Sequence, residues 1–236
     1  MEEVVQTKNS NERKPGLAKA IVAVSLFFAS FALVFVVMLA LMVLYIIVNP
    51  DAAEADIIAA MPEWTSYLPF IILTPILLPM YFKTLIADTK RLTKKNVLTI
   101  VLMSILILVI GIASTLLFGA LDYSITNQEA IYETFRHTLF ISMFAIVIGA
   151  PLVEELVFRK AFDRLIKNQT LFVILSSVIF ALMHFSGFAT IIYFFGGLIF
   201  VATYIKTDRN VMASIIVHFI NNLVGFLMLL FGISFI

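Results

Sequence analysis

Residues 17–48 read LAKAIVAVSLFFASFALVFVVMLALMVLYIIV and contain a single charged side chain, Lys19. A helix of about 20 apolar residues crosses the hydrocarbon core of a bilayer, so this run is long enough to span it. The run follows a polar tail, residues 1–16, and is longer than the apolar region of a cleaved secretory signal, about 7–15 residues. We therefore predict a retained transmembrane helix.

Six further apolar runs follow this one, and none shows the alternation of apolar and polar residues typical of a membrane β-barrel. The seven runs lie near residues 17–48, 66–87, 97–119, 137–165, 170–185, 188–205 and 210–234. Composition agrees, since 62% of the residues are hydrophobic, 13% are charged and the mean hydropathy is +1.07. The predicted fold is all-α, a polytopic transmembrane helical bundle of about seven spans in the cell membrane, with residues 17–236 as one transmembrane domain.

Basic residues are concentrated in alternate loops, which predicts the orientation of the chain by the positive-inside rule. Lysines and arginines cluster at 90–95 and 159–167, whereas 51–63 and 122–133 contain acidic residues and no Lys or Arg. We expect the basic loops to be cytoplasmic. The N-terminal tail, residues 1–16, is basic near its end and is predicted to be cytoplasmic as well.

Charge and cysteine usage exclude several classes of function. The formal net charge of +1 gives no basic excess of the kind that binds nucleic acid, so no nucleic-acid partner is expected. Because the chain contains no cysteine, disulfides, thiolate catalysis, Cys-ligated metal centres and prenyl or palmitoyl anchors are excluded. The predicted partners are the lipid bilayer and a substrate within it.

Polar residues inside the predicted spans are confined to the C-terminal half. Ionisable side chains cost several kcal/mol near the bilayer centre, so each of them needs a reason. The first three spans contain only Lys19 and Lys83, near their ends, and are interpreted as scaffold. The last four spans contain Glu154, Glu155, His184, His218, Asn221 and Asn222.

Helical spacing separates these residues into pairs, because residues four apart share one face of a helix. Glu155 and Arg159 have this spacing and are expected to neutralise each other, which leaves Glu154 for chemistry. His218 and Asn222 share a face in the same way and supply two donors for an oxyanion. A glutamate beside a histidine can deprotonate water. The set fits hydrolysis of an amide bond.

Three short motifs occur in order, each on a predicted span. They are Glu154-Glu155-x-x-x-Arg159, Phe180-x-x-x-His184 and His218-x-x-x-Asn222. In these motifs the sequence resembles the CPBP family of intramembrane proteases, which includes the CAAX prenyl endopeptidases and the Abi or bacteriocin-processing proteins. The resemblance covers residues 154–222, with a family-like helical core beginning near 137, and it implies that 137–236 is the catalytic core.

The resemblance implies a glutamic endopeptidase that cleaves a peptide or membrane-protein substrate. Glu154, assisted by His184, would activate water, and His218 with Asn222 would stabilise the oxyanion. The supporting residues that it implies are Glu155 and Arg159. One difficulty is depth, because counting about 14 residues into the fifth span, at about 1.5 Å each, places His184 far from a mid-membrane Glu154.

Zinc is the alternative to a cofactor-free site. Glu154, His184 and His218 form the two-histidine, one-glutamate set that catalytic zinc accepts. The three ligands would come from three spans, however, and the chain has no His-Glu-x-x-His helix. We therefore predict no metal and no other cofactor.

The competing function is a non-catalytic immunity or regulatory scaffold of the same family, in which the polar residues only hold helices together. A transporter is disfavoured, because no repeated pair of broken helices is visible. The compact, cysteine-free chain is interpreted as bacterial, which favours peptide maturation or bacteriocin self-immunity as its setting. A scaffold and an enzyme differ in whether Glu154 is required.

Overall fold

The computed structural model describes residues 2–53, 56–57, 60, 65, 67–120, 138–184 and 190–231. Side chains are described from Gly16 onward, and residues 118–120 are described by their backbone alone. No β-strand occurs within these ranges. The expected all-α fold is confirmed.

Seven helices make up the described part of the chain, one for each predicted span. They are α1 Glu2–Val48, α2 Leu68–Lys90, α3 Lys94–Ala120, α4 Thr138–Leu165, α5 Gln169–Leu182, α6 Thr190–Lys206 and α7 Val211–Leu230. Five of them, α1 to α4 and α7, are long and apolar enough to cross a membrane. The protein is therefore a multi-pass membrane protein.

The helices α5 and α6 are shorter than the expected spans. They contain 14 and 17 residues. At 1.5 Å per residue these are about 21 and 26 Å long, less than the hydrocarbon thickness of about 30 Å. Seven complete crossings and a cytoplasmic N-terminus remain predictions.

Helix α4 lies at the centre of the bundle. Its most apolar stretch is 61% buried, whereas the corresponding share is 28% or less in the other long helices. Two π-helical turns, Phe144–Gly149 and Leu156–Ala161, interrupt it on either side of the α-helical segment Ala150–Glu155. Such turns are frequent at functional sites. Both adjacent glutamates, Glu154 and Glu155, therefore lie between two widened turns.

A buried carboxylate, Asp88 at the end of α2, anchors the start of α7. Its Oδ2 accepts a hydrogen bond from the backbone N–H of Val211 at 2.9 Å, and its backbone carbonyl accepts one from Asn210 Nδ2 at 2.6 Å. Lys160 of α4 lies 3.4 Å from the same Oδ2. These contacts fix the N-terminus of the helix that carries His218 against α2 and α4.

Close packing of α5 against α6 depends on Gly197. A Cβ atom added there would lie 3.1 Å from the Cα of Ser177 and 3.3 Å from a ring carbon of Phe180. We expect Gly197→Leu to lower the thermal unfolding midpoint in detergent, because overpacking typically costs about 1–3 kcal/mol. Gly111→Leu is the matched control, since a Cβ at Gly111 meets no atom within 4 Å. Equal midpoints for the two variants would contradict the prediction.

Candidate active site

A cavity of 940 Å³ opens between the helices, and all seven helices contribute to its wall. Most of the wall is apolar. The four residues expected to be catalytic all line it: Glu154, His184, His218 and Asn222. The structure thus brings side chains from α4, from α7 and from the turn after α5 to one space.

The first three helices take part in this wall, which the sequence did not indicate. Phe31, Val34, Phe35 and Met38 of α1 line the cavity, as do Ile107, Ile110 and Gly111 of α3. The interpretation of the first three spans as scaffold alone was therefore incomplete. Lipid-facing and cavity-facing apolar residues have the same composition, so no sequence signal separates them.

Glu155 and Arg159 form the ion pair expected from their spacing. Both side chains are 0% exposed, and Glu155 Oε2 lies 3.0 Å from Arg159 Nε. Arg159 Nη1 also donates to Ser176 Oγ at 2.5 Å, and its guanidinium carbon lies 5.2 Å from the centre of the Phe180 ring. Neither Glu155 nor Arg159 lines the cavity. The pair therefore lies behind the cavity wall.

Glu155 also holds His218, across 63 positions of sequence. Its Oε1 lies 3.1 Å from His218 Nδ1, and its Oε2 accepts a hydrogen bond from Ser214 Oγ. Because an ionised carboxylate only accepts, Nδ1 carries the hydrogen of this contact. In the neutral imidazole, Nε2 then bears a lone pair. The Phe200 ring stacks on His218 at 4.2 Å and fixes its plane.

Glu154 is the buried acid without a hydrogen-bond partner. It is 5% exposed, and its Oε2 accepts no hydrogen bond within the part of the chain that the structure describes. The same oxygen lies 3.7 Å from His218 Nε2, a contact longer than a hydrogen bond. Buried polar atoms without a protein partner are the usual partners of buried water molecules, and Glu154 lines the cavity from which such a water could come.

His184 occupies the turn that follows α5. Its Nδ1 lies 2.8 Å from the carbonyl oxygen of Phe180, which can only accept, so Nδ1 donates. The Tyr193 ring stacks on the imidazole, with centroids 3.9 Å apart and planes 21° from parallel. Because α5 ends at Leu182 and is short, His184 lies on the same cavity wall as Glu154. Counting along the fifth span therefore does not keep His184 out of the cavity that Glu154 lines.

Asn222 already donates a hydrogen bond to the backbone of α4. One of its amide hydrogens is donated to the carbonyl oxygen of Ile146 at 2.9 Å. Its Oδ1 accepts a hydrogen bond from Asn221 at 3.2 Å. One of the two amide hydrogens is thus committed, and Asn221 also lines the cavity. The arrangement leaves one donor of Asn222 for a ligand.

Sequence reasoning missed Ser176, Tyr193 and Ser214. Ser214 precedes His218 by four positions and Ser176 precedes Phe180 by four, so the helical spacing applied above places each on the face of a motif residue. Tyr193 carries no such signal, because its contact with His184 crosses between two helices. The polar network around the cavity is therefore larger than the three motifs.

The possible zinc ligands do not form a compact set. Among the residues that the structure describes, no group of three His, Cys, Asp or Glu side chains is arranged to hold a metal ion. Of the possible ligands, Glu154 Oε2 and His218 Nε2 lie 3.7 Å apart. The choice between zinc and a metal-free site is taken up below as a proposal.

Comparison with known families gives a match to the segment of the chain that contains these residues. Residues 136–224 match the sequence model of a family described as Rce1-like, type II CAAX prenyl endopeptidase Rce1-like. The C-terminal segment is Rce1-like. This confirms the resemblance to the CPBP and CAAX protease family, and the matched segment contains all three motifs. No curated protein and no solved structure matches the chain.

The Rce1-like match supports a function of the membrane CAAX-protease type. Proteases of that family act on a peptide or protein, and five helices of this chain are long and apolar enough to cross a lipid bilayer. The match does not extend over α1, α2 or α3, although these helices line the cavity. Part of the cavity wall therefore lies outside the Rce1-like segment.

Proposed function

We propose that this protein is an intramembrane glutamic endopeptidase that hydrolyses a peptide bond of a peptide or membrane-protein substrate. The observation that carries the proposal is Glu154, a buried carboxyl group that lines a mostly apolar cavity and whose Oε2 has no hydrogen-bond partner among the described residues. Two histidines and an asparagine line the same cavity, in an Rce1-like segment. The test is cleavage of a candidate peptide by purified protein in lipid.

In the proposed reaction, Glu154 and His184 bind one water molecule between them. Glu154 removes a proton from this water, and the oxygen attacks the carbonyl carbon of the scissile bond. The carbonyl π electrons move to its oxygen, forming an oxyanion. When the C–N bond breaks, the proton held by Glu154 passes to the leaving nitrogen. Water and the peptide bond are consumed, and a carboxyl group and an amine are formed.

Two donors serve the oxyanion in this proposal. One is the second amide hydrogen of Asn222, since the first is donated to Ile146. The other is His218 Nε2, which donates only when the ring is protonated, because Nδ1 already carries a hydrogen toward Glu155. Glu155 would stabilise this imidazolium, while Arg159 keeps Glu155 ionised. The supporting pair thus acts through His218.

The proposed site is metal-free, with zinc as the alternative. Turnover in strong chelator, together with metal analysis of the purified protein, distinguishes the two. Full activity in chelator with no stoichiometric metal would support the proposal. Stoichiometric zinc and chelator-sensitive turnover would overturn it, because the open oxygen of Glu154 would then be a ligand position.

The proposed setting is bacterial peptide maturation or bacteriocin self-immunity, with CAAX processing as the other substrate class of the family. Mass spectrometry of cells carrying wild-type protein or Glu154→Ala would identify peptides that accumulate uncleaved. Purified protein should be offered a leader peptide and a prenylated CAAX peptide in parallel. Preferential cleavage of the prenylated peptide would reassign the setting without changing the mechanism.

The alternative is a non-catalytic membrane immunity or regulatory scaffold. The buried contacts of Glu155 favour it, since they connect α4 to α7 whether or not catalysis occurs. Glu154 makes no hydrogen bond through Oε2 and adds little to such a scaffold. The two functions therefore differ in the effect of changing Glu154 alone.

Tyr193 is proposed as a positioning residue for His184. We expect Tyr193→Leu to lower kcat up to about tenfold, since an aromatic stack contributes about 0.5–1.5 kcal/mol and 1.36 kcal/mol corresponds to tenfold in rate. Tyr193→Phe, which keeps the ring, should retain kcat. Kinetic measurement of kcat and KM for both variants tests this. Equal loss in the two variants would show that the hydroxyl, not the stack, matters.

A further inference from the structure

A second cavity, of 430 Å³, lies apart from the candidate active site and shares no lining residue with it. Cationic side chains from α1, α4 and the turns after α2 and α6 converge on it. They are Lys19, Arg91, Lys160, Arg164 and Arg209. Among the described residues, two carboxylates line the same space, Asp163 and Asp208. The pocket therefore has an excess of positive charge.

The ion pairs at the pocket do not neutralise all of its positive charge. Arg209 pairs with Asp163, whereas Arg91 and Lys160 share the single carboxylate of Asp88. Asp88 itself is 3% exposed and lies behind the pocket lining. A carboxylate shared by two cations neutralises at most one of them. The pocket thus presents more cationic charge than its own acids balance.

Two further cationic side chains, those of Lys19 and Arg164, form no ion pair with a carboxylate among the described residues. Lys19 donates to the backbone carbonyl of Met80 at 2.8 Å and lies over the Tyr81 ring. The Arg164 guanidinium packs against α1, so closely that a Cβ at Gly16 would lie 3.0 Å from its Nη2. A guanidinium held in this way offers a planar set of donors that matches phosphate oxygens.

Exposed apolar residues adjoin the pocket-lining residues in sequence on two helices. On α1, the exposed Leu17 and Ile21 follow the lining residues Gly16 and Ala20, and on α2 the exposed Phe82 follows the lining residue Tyr81. An acyl chain lying along these faces would place its headgroup at the cationic pocket. Basic pockets between transmembrane helices bind phosphate-bearing headgroups in this way.

We infer that this pocket binds the phosphate group of an anionic phospholipid. The phosphate oxygens would accept hydrogen bonds from Arg164 and Lys19, and the acyl chains would lie on the apolar faces of α1 and α2. A free phosphate ion is also negatively charged, but it has no acyl chains to lie on these apolar faces. Because the pocket is separate from the first cavity, this inference stands whether or not the protein is a protease.

The test is binding of dioctanoyl phosphatidylglycerol to the full-length protein in detergent, followed by native mass spectrometry. We expect saturable binding at least about tenfold tighter than that of dioctanoyl phosphatidylcholine, and weakened by salt, because the attraction is electrostatic. Inorganic phosphate is the second probe. Binding of inorganic phosphate as tight as that of phosphatidylglycerol would overturn the lipid assignment.

Two variants that each remove one positive charge test whether phosphatidylglycerol binds at this pocket. Arg164→Gln should weaken phosphatidylglycerol binding about tenfold, since a phosphate contact of this strength corresponds to about 1.4 kcal/mol. Lys95→Gln removes the same charge from an exposed position on the same predicted side of the membrane, and it should change binding little. Thermal unfolding midpoints show whether each variant is folded. Equal weakening by the two substitutions, or equal affinity for the two lipids, would show general surface attraction and overturn the site.

Discussion

Glu154→Gln is expected to reduce turnover by about a hundredfold to ten-thousandfold, the usual contribution of a general base. Glutamine keeps the size of the side chain but cannot accept the proton of the attacking water. The substitution removes no hydrogen bond from Oε2, because that oxygen accepts none within the described residues. The fold should therefore be retained while hydrolysis is lost, which separates catalysis from stability.

The measurement is single-turnover cleavage of the identified peptide, with the thermal unfolding midpoint recorded for the same samples. Asp51→Asn is the matched control, an equivalent carboxyl-to-amide change at an exposed residue, and should retain full activity. His184→Ala should also impair turnover, since it removes the proposed second contact of the water. Near-wild-type cleavage by a folded Glu154→Gln protein would rule out the glutamate mechanism, whereas no cleavage by the folded wild-type protein would favour the scaffold.

The helices and the local ion pair could be predicted from sequence because both depend on short-range regularities. Apolar runs match the seven helices, and the four-residue spacing of Glu155 and Arg159 gives their contact at 3.0 Å. The number of helices that cross the membrane could not be predicted in this way. Run length measures apolarity, and α5 and α6 are apolar but too short to cross alone.

Contacts between helices could not be predicted from such regularities. Glu155 meets His218 across 63 positions, and Asn222 meets the backbone of Ile146 across 76. Spacing within one helix defines which face a residue occupies but not which helix packs against that face. As a result, the sequence could not indicate that the packing of α7 on α4 uses one of the two amide hydrogens of Asn222.

Arg159→Met is expected to produce the largest loss of stability. It removes the cation from a carboxylate that is 0% exposed, and breaking one side of a buried pair typically costs about 3–5 kcal/mol. The substitution also removes the contacts that Arg159 makes with Ser176 and with the Phe180 ring. Denaturant unfolding in mixed micelles measures the loss. Lys167→Met, at an exposed basic residue just after the same helix, is the control and should change the free energy of unfolding little.

The double variant Glu155→Gln, Arg159→Met separates the contribution of this pair to stability from its contribution to turnover. Removing both charges leaves no uncompensated buried ion, so we expect it to recover much of the stability lost in Arg159→Met, as buried pairs often tolerate neutral replacement. Turnover should not recover, because glutamine at position 155 cannot stabilise a protonated His218 through Nδ1. Recovery of both stability and turnover would mean that Glu155 and Arg159 serve packing alone. Recovery of stability without turnover would show that Glu155 acts in the reaction through His218.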